Sequence, residues 1–355
     1  MKKIIFFLSL AALFFVSCGE NDVIVLGAVI PMTGNSSDLG QSTSNAMELC
    51  AENWNKKGGI SGKDIVLDIN DSQADPKLGI TLTQKIMSQN NPLLVYSLIS
   101  GVALNVQSIT KNHQSILMAC IGSAELFDND SNYTLRNFVS PTTVGEGISS
   151  FIVEKYKDKN LTILYINNTF GDSYAQKVKS CSEKRNIKIK QMIAYDETNN
   201  YRDIIVKAEL GENDIVYIAG VGQSIGVIIK QLREQGYKGV VLGDPNLPNN
   251  SAITVAGNNM KNVFYLDIDR PNTKVYKEFE EYYVKRYKAY PDNFAIIAYA
   301  TCDYILNIAS EHNIISSDEI MKIANEGYSY NSIIGNISVI NNEFVFPTTM
   351  SGVKI

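Results

Sequence analysis

A strand, a glycine-rich turn, a helix and a second strand follow one another over residues 24–69, and no other stretch constrains the fold as strongly. The apolar run over residues 24–30 reads as a buried strand, and Pro31 and Gly34 break it where the chain must turn. A helix is predicted over residues 39–57, because Ala46, Leu49, Cys50 and Trp54 fall on one face at helical spacing. Gly58 and Gly59 stand just past its end as a stop signal. Ile65, Leu67 and Ile69 then alternate as a second strand. Two strands joined by a helix in so few residues make the right-handed crossover unit of a parallel sheet.

The alternation continues along the chain. Strands are predicted over residues 93–99, 116–120, 161–166, 214–219, 240–242 and 263–266. Helices are predicted over residues 76–89, 101–113, 144–157, 172–186, 201–209 and 223–235. The class is therefore α/β with parallel sheets. A chain of 355 residues, 45% hydrophobic, is long enough for two domains with a core each.

Lys2 and Lys3 precede an apolar run over residues 4–16, which is shorter than the roughly 20 residues needed to span a bilayer and reads as an export signal. The sequence Phe15-Val16-Ser17-Cys18 resembles a bacterial lipobox, in which the signal is cut before the cysteine and its thiol takes up diacylglycerol. Removing residues 1–17 takes the net charge from −5 to −7, and no basic tract is present to follow a nucleic-acid backbone. Of the remaining cysteines, Cys50, Cys120, Cys181 and Cys302 each sit in an apolar strand or helix pattern and are expected as buried thiols. Two histidines and scattered cysteines make no metal site, and no cofactor motif is convincing.

The order PMTG at residues 31–34, AENWNKKGGISG at 51–62 and VLDINDSQADP at 66–76 resembles the opening of the type I periplasmic binding proteins, in the Leu/Ile/Val-binding branch that serves ABC importers. The resemblance implies two Rossmann-like lobes joined by a three-strand hinge, with a small ligand, an amino acid of the branched-chain type or related, held between them. It implies crossings over residues 139–143, 267–272 and 330–335. Lobe 1 would then comprise residues 18–141 and 268–329, and lobe 2 residues 142–267 and 330–355. The implied partners are a permease and, through Cys18, the outer face of a membrane.

Ligands of open parallel sheets sit off the carboxyl ends of the strands, which selects four loops here. Ser100 and Gly101 follow a strand and open a helix; the hydroxyl either caps that helix or meets a ligand carboxylate. Ser123, in CIGSA, is either a turn serine or a second hydroxyl for the ligand. Phe170 occupies a loop position where the resembled family packs an aromatic over the ligand. Gly222 lets the backbone approach, and Asp244, at the end of the next strand, faces the same crevice; the resemblance implies that this loop supplies the acid for a ligand ammonium, Asp244 or, as the alternative, Asn246.

Two other readings of the fourth loop are possible. Gly220 to Gly226 with Asp244 imitates a dinucleotide fingerprint, but the spacing is wrong. Gly222-Gln223-Ser224-Ile225-Gly226 imitates the nucleophile elbow of an esterase, for which only His312 follows in the required order. A sensing subunit of the same fold is a further alternative. The run Tyr282, Tyr283, Tyr287 and Tyr290 is read as an amphipathic helix and not as an aromatic cage.

Overall fold

In the computed structural model, which describes residues 23–122 and 132–353, the leading unit forms as expected: β1 (Ile24–Ile30), α1 (Ser37–Lys56) and β2 (Ile65–Asp71). β1 lies between β2 and β3 (Leu94–Leu98), parallel to both. It is an unbroken apolar run because both sheet faces are covered. Val29, Val95 and Leu117 pack with Ile86 and Met87 of α2 (Pro76–Asn90) and Val102 and Val106 of α3 (Ser100–Asn112). Ala28, Ile30, Tyr96 and Met118 belong to the core shared with α1 and α10 (Asn293–His312). Trp54 of α1 donates to Asp303 of α10 at 2.9 Å, which fixes these two helices against each other.

β4 (Ile116–Cys120) and β5 (Thr134–Arg136) extend this first sheet in parallel. Its far edge is antiparallel: β11 (Ser329–Ser332), β12 (Gly335–Ile340) and β13 (Glu343–Val345). The second sheet has the order β14-β10-β9-β8-β6-β7. Its strands are β6 (Asn160–Ile166), β7 (Ile189–Tyr195), β8 (Asp214–Ala219), β9 (Val241–Gly243), β10 (Val263–Ile268) and β14 (Thr348–Gly352). Only β14 runs antiparallel there. Helices α4 (Pro141–Lys155), α5 (Thr169–Lys184), α6 (Arg202–Lys207), α7 (Gln223–Glu234) and α8 (Asn250–Ala256) accompany this sheet, while α9 (Lys274–Tyr287), α10 and α11 (Ser317–Asn325) accompany the first.

The chain changes sheet after β5, after β10 and again between Val345 and Thr348. The last change corrects the crossing expected over residues 330–335, since β11, β12 and β13 stay with the first sheet. Long-range contacts hold these strands there: Glu343 of β13 pairs with buried Arg136 of β5 at 3.0 Å, and Phe344 packs edge-on against Tyr304 of α10. The tyrosine run behaves as read: Tyr283 and Tyr287 pack as a tilted pair on α9 with centroids 4.8 Å apart, and Tyr287 donates to the Asn45 carbonyl of α1 at 2.9 Å. Tyr282 and Tyr290 are exposed. Cys50, Cys120, Cys181 and Cys302 are free and buried. Cys18 and the lipobox lie outside the described residues.

Candidate functional site

The carboxyl ends of the central strands of both sheets converge on a cavity of about 310 Å³. Ser36, Leu98, Ser100, Gly101, Ile121 and Gly122 close it from the first lobe, and Ile166, Asn168, Phe170, Glu197, Val221 and Asn246 from the second. Its size is at the lower end of small-molecule sites, about 300–1,000 Å³. Most of the wall is apolar, and no lysine or arginine lines it among the described residues.

Ser100 is placed by a strained turn. Ile99 has φ +66°, a region that costs a β-branched residue of order 1–3 kcal/mol. That turn ends β3 and starts α3 at once, and the Ile99 carbonyl accepts from the amides of Val102 and Ala103 at 2.9 and 3.1 Å. Ser100 is thus the first residue of the helix and not its cap, and no side chain caps α3. The residue lines the cavity, and its Oγ is buried and has no partner. An unused hydroxyl beside the free amides of a helix start is a site for a carboxylate. Gly101 lines the cavity next to it.

Phe170 is the second residue of α5, whose start is fixed by the Asn168 side chain accepting from the Gly171 amide at 3.0 Å. Its ring forms part of the wall and packs on Tyr174 with centroids 4.6 Å apart. Tyr174 reaches across to the first lobe. Its hydroxyl donates to the Val139 carbonyl, and a Cβ on Gly122 would lie 1.8 Å from its ring. Only glycine permits this contact between the lobes. Gly122→Ala should therefore destabilise the free protein by about 1–3 kcal/mol, lowering its melting temperature, and weaken ligand binding by holding the lobes apart. Calorimetric titration with paired melting curves checks this.

Gly222 does not line the cavity; Val221 does. Gly222 has φ +57°, and a Cβ there would lie 2.8 Å from the Asn35 carbonyl. The close approach read from the sequence is thus made to the other lobe's first turn and not to the cavity. Ser123 lies outside the described residues.

Asp244 follows β9 as expected but is only 1% exposed, so the acid read as facing the crevice is buried. One carboxylate oxygen accepts from the backbone and side-chain nitrogens of Asn246, both at 2.8 Å. The other oxygen is buried and has no partner, as is the hydroxyl of Tyr217. Burial pushes the Asp244 carboxyl up to about 7, against the two Asn246 bonds that favour its charge. Asn246 stands on the cavity wall, so Asp244 is one layer behind it.

Phe138, Phe294 and Glu197 are among the wall residues not singled out from the sequence. Phe138 and Phe294 stack with centroids 5.5 Å apart and supply the apolar end; the first stands where the chain changes lobe and the second opens α10. Glu197 follows β7, a strand whose half-exposed pattern gave no apolar run to find it by. The esterase arrangement does not form. Ser224 Oγ donates to the Val221 carbonyl at 2.7 Å, whereas His312 is exposed at the end of α10 beside Tyr328, on the helices of the other sheet. Among the described residues no cluster of His, Cys, Asp and Glu could hold a metal, and no helix is long and apolar enough to cross a membrane.

Comparison with known proteins places this geometry. A family model described as "Periplasmic binding protein" matches residues 23–355. The Leu/Ile/Val-binding protein homolog 2 of Brucella abortus (strain 2308) is 24% identical over 329 residues, which are 89% of this chain and 85% of that relative. Among solved structures, the branched-chain amino acid transporter substrate binding protein LivJ of Streptococcus pneumoniae, in complex with isoleucine, superposes with a TM-score of 0.80 at 16% identity, covering 93% of this chain and 100% of that one. A solute binding protein from R. palustris in complex with benzoate gives 0.84 at 15% identity, covering 94% and 93%.

Proposed function

The chain belongs to the periplasmic binding protein family, and on that premise we propose that it captures an amino acid, of the branched-chain type or related, between its lobes and delivers it to the permease of an ABC importer. The observation that carries this is the pair of unused polar groups: the Ser100 hydroxyl at the start of α3, and the Asp244 oxygen behind Asn246. Isoleucine and benzoate, the ligands of the two solved structures, both join a carboxylate to an apolar body. Ser100, Gly101 and the α3 amides suit the carboxylate, and the phenylalanine-rich wall suits the apolar body. An ammonium, which isoleucine has and benzoate lacks, is what an ionised Asp244 would select. Members of this family bind solutes and make no covalent bond with them.

A melting-temperature screen over amino acids, short amides and aromatic carboxylates tests the reading, since a ligand at 100 times its Kd adds about 2.7 kcal/mol of stability. Amino acids should shift the melting point, and X-ray scattering with the best of them should show a more compact particle. Shifts by sugars or esters alone, or identical scattering curves, would count against it.

Export and anchoring are part of the same proposal, with Cys18 as the acylated residue. Stable anchoring takes two lipid signals, which a diacylglyceryl group provides. Cys18→Ser should move the protein from the membrane fraction to the soluble one without changing its melting temperature. Unchanged membrane retention with normal processing would end the lipoprotein assignment.

A further inference from the structure

Glu197 borders two spaces at once. It lines the ligand cavity, and it also lines a polar chamber of about 200 Å³ bounded by Asn35, Thr198, Asn199, Gln223 and Ser224. The loop that carries it is held in place. The Thr198 amide donates to the Tyr201 hydroxyl at 3.0 Å, the Tyr201 amide to Oε1 of buried Gln231 at 2.7 Å, and Nε2 of Gln231 to the Asn199 carbonyl at 3.2 Å. No lysine or arginine lines the chamber, and no cation pairs with Glu197 among the described residues. In the reading above, the one ammonium of a zwitterionic amino acid goes to Asp244, behind the wall. Glu197, the acid that lines the wall itself, then has no counterpart in a branched-chain ligand.

We propose that the ligand of this chain is an amino acid with a cationic side chain, of the lysine or arginine kind, whose methylene stem lies along Phe170 and Val221 and whose charged end reaches Glu197 and the polar chamber. This rests on the amino-acid reading above and narrows it. A long stem with a charged tip suits an apolar cavity that opens into a polar, partly hydrated one, because the tip keeps water on one side while the stem is buried. Glu197 is exposed, so pairing with it carries little desolvation cost. Asn35, Thr198, Asn199 and Gln223 offer carbonyl or hydroxyl oxygens for the remaining donors of an ammonium or guanidinium.

The test compares L-lysine and L-arginine with L-norleucine, which is lysine without its terminal amine, and with L-leucine, by calorimetric titration of the parent and of Glu197→Gln. The parent should bind lysine or arginine at least tenfold tighter than norleucine, and Glu197→Gln should erase that difference. Norleucine or leucine binding the parent as tightly as the basic amino acids would overturn this inference and leave the amino-acid reading standing. A preference for lysine that survives Glu197→Gln would place the cation elsewhere and overturn it too. If none of the four amino acids binds, the amino-acid reading falls and this inference falls with it.

Discussion

Asp244→Asn is expected to weaken binding of the amino acid by about 2–5 kcal/mol, a loss of roughly 30-fold to several thousand-fold. An ammonium taken into a closed cavity loses its water and needs a charged acceptor. The free oxygen of Asp244 is a buried acceptor that no group among the described residues uses. Asparagine keeps the shape and can still accept from the Asn246 amide, so the fold should survive. Ser100→Ala, which removes one hydroxyl from the carboxylate end, should cost less, about 1–2 kcal/mol. Benzoate or another carboxylate without an ammonium, if it binds, should be insensitive to Asp244→Asn and sensitive to Ser100→Ala. Calorimetry on both variants decides the matter, and an Asp244→Asn protein that binds its amino acid as tightly as the parent would remove Asp244 from the site.

Acid should weaken binding steeply, by about tenfold per pH unit once the pH is below about 7. The sign follows from the burial of Asp244. In the free protein its carboxyl is raised to about 7, so at pH 5 it carries a proton; an ammonium ligand requires it ionised, and binding then releases that proton. Affinity should rise from pH 5 to about 7 and level off above. Stability of the free protein should move the opposite way. A carboxyl raised above its unfolded value contributes stability that is fully present below about pH 4 and is lost as the pH rises through about 7. The tyrosines 174, 195 and 217 share the field of Asp244, and burial holds all three neutral over this range. Asp292, at the start of α10, is also raised by burial, to about 6, but it accepts from Ser42 and the Ala295 amide and does not line the cavity. Asp244→Asn should therefore flatten the affinity profile near pH 7 and leave any remaining slope near pH 6. A flat profile for the parent between pH 5 and 8 would show that no buried carboxyl is ionised by the ligand.

The sequence alone determined what is local in space or periodic in residue type. β1, β3, β4, β6 and β8 appear as apolar runs because helices cover both faces of their sheets, and α1 ends at Gly58 and Gly59 because both adopt positive φ. That Ser100, Gly101 and Phe170 stand beside the cavity was legible because they lie at strand ends, and those strands were themselves legible. Tertiary structure alone decided what depends on partners far along the chain. β11, β12 and β13 joined the first sheet through long-range contacts such as that of Glu343 with buried Arg136, more than 200 residues away, which no local pattern records. Whether Ser100 capped its helix or faced the cavity was settled by the positive φ of Ile99, a conformation that residue type argues against. Gly222 turned to Asn35 because the other lobe's first turn comes to it, and Asp244 sank behind Asn246 because two residues of loop fold back over its carboxylate. An acid's exposure is a property of everything packed around it, so sequence could place Asp244 at the end of a strand but not foresee a carboxyl held near neutral pH.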